Sequence, residues 1–208
     1  RLPFVTIKLG QSLDGKIAKN GRKYFSGKES LEFAHHLRAN SDAILVGIGT
    51  ILKDDPSLTT RLVKGKDPLR VILDEALQIP LNAKVLADGN VLMVCAEGKY
   101  AEKKKNGLEK RGFRVLVMSP KKGLIDFNSL LLELGKRGIC TLMIEGGSRI
   151  IANAFNERIL DKAYFIIVPE IFGDCTPLIG SPLRKDVKLK PISLRPLGKD
   201  LLVEAFPI

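Results

Sequence analysis

The stretch AILVGIGT, residues 43–50, runs apolar from Ala43 to Val46 and then breaks at Gly47. A strand with one wet face alternates apolar and polar side chains. A run that is apolar at every position is covered on both faces, as in the parallel sheet of an α/β protein. LRVILD (69–74), NVLMVCA (90–96), FRVLVM (113–118), TLMIE (141–145) and AYFIIVP (163–169) read as strands of the same sheet. Between them lie helical periodicities. Lys103 to Arg111 is one, with the charge cluster Lys103–Lys105 on a solvated face. Phe127, Leu130, Leu131 and Leu134 fall at i, i+3, i+4 and i+7. Ile150, Ile151, Ala154 and Phe155 mark a helix after Gly146-Gly147. Upstream, Ser26-Gly-Lys-Glu29 matches a capping box, so a helix carrying Leu31, Ala34 and Leu37 is expected to start there. In the first strand Val5, Ile7 and Leu9 share one face, with Phe4, Thr6 and Lys8 on the other. The tail reads as two strands joined at Gly198-Lys199, an antiparallel hairpin. The expected fold is α/β: a mostly parallel central sheet, helices on both faces, and a C-terminal antiparallel hairpin. No linker rich in Pro, Gly or Ser interrupts it, so residues 1–208 read as a single domain.

Of the 208 residues, 45% are hydrophobic and 27% charged, a globular balance. Lys and Arg outnumber Asp and Glu by 34 to 23, for a formal charge of +11. That charge suits an anionic partner (nucleic acid, a membrane surface or a phosphorylated small molecule) or a solubilising coat. Cys95, Cys140 and Cys175 stand far apart, which argues against a disulfide framework or structural zinc and points to a reducing cytoplasm. His35 and His36 are adjacent, face different directions on a helix and make a poor metal pair. No apolar run approaches the roughly 18 residues of a membrane span. The start, RLPFVTIKLG, is strand rather than signal peptide, and Arg1 is compatible with a cut point.

Ligands of such sheets bind beyond the carboxyl ends of the strands. There the sequence places Gly10 and Ser12-Leu13-Asp14-Gly15; Gly47, Gly49 and Thr50, then Asp54-Asp55-Pro56; Asp74 and Glu75; and Glu145, Gly146, Gly147 and Ser148. Each has a plain explanation as a turn. A glycine pair opening a helix also leaves N–H groups free to hold a phosphate. Arg38 ends a helix and Arg61 follows the Pro56 turn. They read as a dipole partner and a surface residue, or together as a clamp on a phosphate.

VTIKLGQSLDGKIA, HLRANSDAILVGIGTILKDDPSLTTR, PLRVILD and LMIEGGSRIIANAFNERILDKAYFIIVPEIFGD together resemble the riboflavin-biosynthesis reductase family. Its members reduce 5-amino-6-(5-phosphoribosylamino)uracil, or in stand-alone forms the 2,5-diamino pyrimidinone. The resemblance spans Leu2 to about Gly173. It implies a dihydrofolate-reductase-like three-layer fold, a homodimer, and hydride transfer from NADPH to C1′ of a phosphorylated pyrimidine. It also implies roles. Lys8, Asp54 and Glu145 would be catalytic. Arg22, Arg38, Leu58 and Arg61 would bind substrate together with Glu145. Gly10, Tyr24, Thr50, Asp54, Glu75, Gly146, Gly147, Ser148, Arg149, Ile150 and Ile151 would meet the cofactor, and no metal is implied.

The sequence departs from the family pattern at Glu75, where a serine is usual. A carboxylate there would repel a 2′-phosphate, which leaves NADH open as the cofactor. Arg22 stands where a small hydroxyl residue is usual and adds to an anion site. The deaminase signature H-x-E with P-C-x-x-C is absent. Two other readings compete: a pterin or folate reductase of the same fold, and a basic nucleic-acid-binding domain. The paired arginines weigh against the first. Against the second weigh 6% aromatics and charge spread along the chain.

Overall fold

The computed structural model describes residues 1–18, 25–98, 100, 102–121 and 124–208. Arg22 and Tyr24 lie outside the described residues. The elements run β1 (Phe4–Ser12), β2 (Lys16–Ala18), α1 (Lys28–Ala39), β3 (Ala43–Gly47), α2 (Ile48–Asp54), β4 (Leu69–Leu73), β5 (Val91–Ala96), α3 (Glu102–Lys110), β6 (Arg114–Met118), α4 (Phe127–Lys136), β7 (Thr141–Ile144), α5 (Ser148–Asn156), β8 (Lys162–Val168), β9 (Thr176–Pro177), β10 (Leu189–Leu197) and β11 (Asp200–Pro207).

Among the described residues nine strands form one sheet, ordered β10-β11-β8-β1-β7-β3-β4-β5-β6. The seven from β8 to β6 run parallel, and β11 and β10 close one edge antiparallel. β7, late in the sequence, inserts between β1 and β3. Register makes the consequence specific. Thr6 pairs with Met143 and Ile7 with Ile144. The residues that follow, Lys8 within β1 and Glu145 just beyond β7, therefore lie side by side.

Alternation splits the sheet's side chains between two cores. Val5, Ile7, Leu9, Leu45, Val71, Leu142 and Ile144 pack under α4 and α5. Ile44, Val46, Ile72, Met93 and Met143 pack under α2 and α3, with Leu37 of α1 against them. Helices thus cover both faces, and β5 is buried along its whole length, as its unbroken apolar run requires. Among the described residues no helix is long and apolar enough to cross a membrane.

Two local expectations are corrected. The cap of α1 is Gly27, not Ser26, and no side chain of the expected box caps it. Asp200, at the start of β11, does that work. Its Oδ2 accepts from the Gly27 N–H at 2.7 Å and from the Ser30 hydroxyl at 2.6 Å. A long-range carboxylate outcompetes the local box because it meets an N–H and a hydroxyl together. Second, Gly47 and Gly49 are not simple turns: they open α2, a short helix the sequence reading lacked.

Candidate active site

Lys8, Arg38 and Glu145 meet. Arg38 grips the Glu145 carboxylate with a two-pronged fork, Nε to Oε1 at 2.7 Å and Nη2 to Oε2 at 2.8 Å. Its Nη1 donates to the Thr59 carbonyl at 3.0 Å, tying the fork to the segment after α2. Lys8 Nζ lies 3.5 Å from Glu145 Oε2. The three side chains are 17%, 12% and 7% exposed for Lys8, Arg38 and Glu145, so their charges interact through little water. The sequence supplies this geometry directly. Lys8 and Glu145 follow paired residues on neighbouring strands, and both project to the face that α1 covers with Arg38.

Burial pushes the Glu145 carboxyl up, but the Arg38 and Lys8 charges outweigh it and bring it down to about 2. His35, one turn before Arg38 and 3% exposed, joins the cluster. Burial comes first among the causes that lower its pKa to about 4, followed by Arg38 and Arg61; Glu145 opposes them. The sequence reading considered His35 only as a metal partner of His36. The i, i+3 spacing to Arg38 was the available signal.

These shifts predict stability against pH. The folded His35 value lies below the 6.5 of the free side chain, so the unfolded chain binds that proton first. Stability therefore falls as pH drops from 6.5 towards 4. The depressed Glu145 carboxyl extends the loss from 4.5 towards 2. Each limb is at most on the order of 3 kcal/mol. Denaturant unfolding across this range is expected to show both limbs, with His35→Gln flattening the upper one and Glu145→Gln the lower.

The other strand ends separate into structural and open positions. Asp14 is structural. It accepts from the Ser12 hydroxyl at 2.5 Å and from the Phe172 and Gly173 N–H groups at 3.0 and 2.8 Å. Those bonds, Ser12 first, lower its carboxyl to about 2 and fasten the loop after β1 to the loop after β8. Asp74 closes its own turn through the Gln78 and Ile79 N–H groups, both at 2.8 Å. Of the Asp54-Asp55 pair, Asp55 is structural: it sits in the left-handed region at φ 40 and holds Lys84 through both N–H (2.9 Å) and Nζ (3.2 Å). Asp54 ends α2 exposed to solvent, and no contact among the described residues joins it to Lys8 or Glu145. Leu58 is buried at φ 56 in the same turn, and Arg61 beyond it is exposed.

The diglycine corner is shaped by Ile150. A Cβ at Gly146 would lie 2.5 Å from Ile150 Cγ2, whereas at Gly147 its nearest neighbour would be Thr50 Oγ1 at 3.6 Å. Gly147 is the N-cap of α5 and no side chain caps it. An open, uncapped backbone beside a threonine hydroxyl fits a cofactor phosphate, which the first N–H groups of α5 would hold. Ser148 lies against Gly180, Arg149 is exposed and Ile151 is buried in the core. Gly10 has Phe25 as its neighbour. Glu75, beyond β4, accepts from the Ile125 N–H at 3.3 Å. A cavity of about 400 Å³ lined by Phe155, Arg158, Arg184 and Ile208 shares no residue with this cluster. Among the described residues no group of His, Cys, Asp and Glu is arranged to hold a metal.

Residues 3–203 match the model of the RibD C-terminal domain. The riboflavin biosynthesis protein RibD of Aquifex aeolicus is 35% identical over 207 residues, which are 97% of this chain and 57% of that protein. The chain thus spans little more than half of that relative. From the same organism, the 2,5-diamino-6-ribosylamino-4(3H)-pyrimidinone 5′-phosphate reductase is 34% identical over 97% of this chain and 95% of its own length. The solved Acinetobacter baumannii RibD superposes with TM-score 0.85 at 25% identity, over all of this chain and 58% of that one. Dihydrofolate reductase from Enterococcus faecalis, at 13% identity and TM-score 0.55 over 98% of this chain and 96% of that one, shares the fold. The layered sheet is therefore dihydrofolate-reductase-like, and with all of the sheet but the end of β11, and the Lys8–Glu145 corner, inside the matched span, the chain belongs to the RibD C-terminal domain family.

Proposed function

We propose that the chain is a riboflavin-pathway reductase that transfers hydride from a reduced nicotinamide cofactor to C1′ of a phosphoribosylaminopyrimidine, giving the ribitylamino product. The observation that carries this reading is the Lys8–Glu145–Arg38 cluster, where mid-β1 meets the carboxyl end of β7, beside the open Gly147 corner. Relatives named as pyrimidinone phosphate reductases support it.

When bound, the cofactor supplies the hydride. The protein's part is to position and to move one proton. The C1′–O4′ bond of the sugar breaks as hydride reaches C1′, and O4′ must gain a proton. Glu145, held ionised by Arg38, is not the donor near neutral pH. Lys8, an ammonium beside that carboxylate, gives its proton to O4′, and Glu145 keeps Lys8 and the sugar hydroxyls in place. Arg38 and Arg61 both bear on the His35 ring, and that cluster is assigned to the substrate's phosphate, with Arg22 added by the resemblance. This use of the basic balance gives no part to nucleic acid or a membrane. Asp54, Tyr24, Thr50 and the 146–151 segment are assigned to the cofactor. Glu75 accepts from the Ile125 N–H, which occupies part of its carboxylate; NADPH is the cofactor proposed, with NADH as the competitor. The same reading has residues 1–208 acting as one reductase domain in the cytoplasm. It has them paired as a homodimer, with exposed Ile192 and Leu194 on edge strand β10 as available apolar surface.

The test offers the purified chain both pyrimidine 5′-phosphates, the deaminated uracil and the diaminopyrimidinone, with NADPH or NADH, and follows cofactor oxidation. One pairing is expected to turn over at least tenfold faster than the others. Oxidation by none of the four removes the assignment, and oxidation with a pterin instead moves it to a folate-type reductase.

A further inference from the structure

Lys8 stands between two carboxylates. On one flank is Glu145, beyond β7. On the other, Lys8 pairs in register with Tyr164 of β8, and Tyr164 pairs with Glu204 of β11. One row thus crosses four neighbouring strands in the order Glu145, Lys8, Tyr164, Glu204. Residues paired in register share a face. Ile7, Leu9, Ala163 and Phe165 point into the core under α4 and α5, so Lys8 and Tyr164 point to the α1 face. Glu204 lies two strand spacings from Lys8, about 10 Å at the backbone, a span that a lysine and a glutamate side chain together close.

Glu145 holds Lys8 loosely. Both of its oxygens are engaged by the Arg38 fork, and Lys8 Nζ stands off at 3.5 Å. Glu204 is the rival. Its own cation is Lys162, at 2.8 Å, and a carboxylate keeps lone pairs for a second donor. The residue between the rivals, Tyr164, is braced. Phe33 of α1 meets its ring edge-on with centroids 5.7 Å apart, and Lys162 Nζ sits 4.6 Å from its centroid. Phe33 in turn lies under the Arg195 guanidinium of β10 at 5.6 Å. Ring–ring and cation–ring contacts therefore fix Tyr164 from helix and sheet together.

We propose that Tyr164 is a positioning residue for Lys8: its braced ring fills the row between Lys8 and Glu204, so that Glu145 is the carboxylate the ammonium keeps. The proposal rests on the part given to Lys8 under Proposed function. Without the ring, Lys8 would swing towards β11 and carry its proton away from the sugar oxygen. The ring prevents this by occupying space, and it adds no charge to the row.

The experiment pairs crystallography with turnover. In the crystal structure of Tyr164→Ala, Lys8 Nζ is expected within about 4 Å of a Glu204 oxygen, the reach of an ion pair, and no longer beside Glu145. Turnover is measured with the pyrimidine 5′-phosphate and reduced nicotinamide that wild type uses best. It is expected to fall about tenfold in kcat with KM nearly unchanged, because a proton donor has moved while the binding groups have not. Tyr164→Phe keeps the ring and is expected to recover most of the rate. Tyr164→Ala combined with Glu204→Gln removes the rival and is expected to recover it as well, which a ring needed only for folding would not allow. Tyr164→Val, whose branched side chain suits a strand, repeats the test if alanine weakens the fold. Lys8 Nζ still beside Glu145 after loss of the ring overturns the proposal. So does a Tyr164→Phe as slow as Tyr164→Ala, or a rate that Glu204→Gln does not recover. Lys8→Met separates this failure from failure of the underlying reading. If it turns over as wild type does, or if wild type does not turn over, the part given to Lys8 falls, while the place of Nζ in the Tyr164→Ala crystal still decides what the ring does.

Discussion

Arg38→Ala is expected to lose about 3–5 kcal/mol of folding stability, the usual result of stripping one partner from a buried ion pair. Glu145 would keep its burial and lose its fork, with Lys8 at 3.5 Å as the remaining counter-charge. Its carboxyl would then rise from about 2, because burial pushes upward and the largest opposing charge is gone. Turnover is expected to fall at least a hundredfold, since Glu145 would no longer be fixed against the strand ends. Denaturant unfolding and steady-state rates check the two effects separately. Arg38→Lys restores a charge without the fork and should recover part of each. The double variant Arg38→Ala with Glu145→Gln should be more stable than Arg38→Ala alone, because the stranded charge is gone. A single Arg38→Ala variant as stable as wild type would show that the fork is incidental.

The second large effect concerns neighbouring glycines that should behave differently. Gly146→Ala drives a methyl to 2.5 Å from Ile150 Cγ2 and 2.6 Å from Ile150 Cβ. The Cβ is fixed to the backbone of α5, so rotating the isoleucine cannot relieve the overlap. A cost of about 1–3 kcal/mol is expected, as for other overpacked sites, together with a displaced corner. Gly147→Ala meets only Thr50 Oγ1 at 3.6 Å, and its φ of −72° suits any residue. Its melting temperature should stay close to wild type. Its nicotinamide affinity should fall at least tenfold, because the methyl fills the approach to the α5 N–H groups. Calorimetric titration with reduced nicotinamide, beside thermal unfolding, reads both. A Gly147→Ala variant that binds the cofactor normally would move the phosphate away from this corner.

The parallel sheet was legible because AILV, VIL and VLMVCA carry apolar side chains on both faces, a demand that few other folds meet. The Lys8–Glu145 encounter was legible only as strand-end chemistry, because register between β1 and β7 joins residues far apart in sequence. α2 escaped because seven residues opened by two glycines carry too little periodicity to compete with a turn. The Ser26 box failed for a related reason: local motifs state what can cap a helix, and Asp200 arrives from the far end of the sequence. Asp14 and Asp74 show the converse limit. Both sit where ligand chemistry was expected, yet their lone pairs satisfy nearby backbone and hydroxyl donors. Arg38 was read as a phosphate clamp or a dipole partner. Its fork on Glu145 depends on the seating of α1 against the end of β7, which no spacing reveals.

The contact of Asp200 with Gly27 and Ser30 bears on how the molecule is made. The helix that carries His35 and Arg38 is made well before the carboxylate that fastens its first turn, which is synthesised 173 residues after Gly27. Gly198, in the adjoining hairpin corner, closes directly over Glu29 of that helix. Until both arrive, the helix is tethered at one end only, and the guanidinium it bears has no fixed bearing on Glu145. A nascent chain cut short before β11 therefore holds nearly every reactive group while lacking the latch that aligns them, so competence waits until β11 has been made.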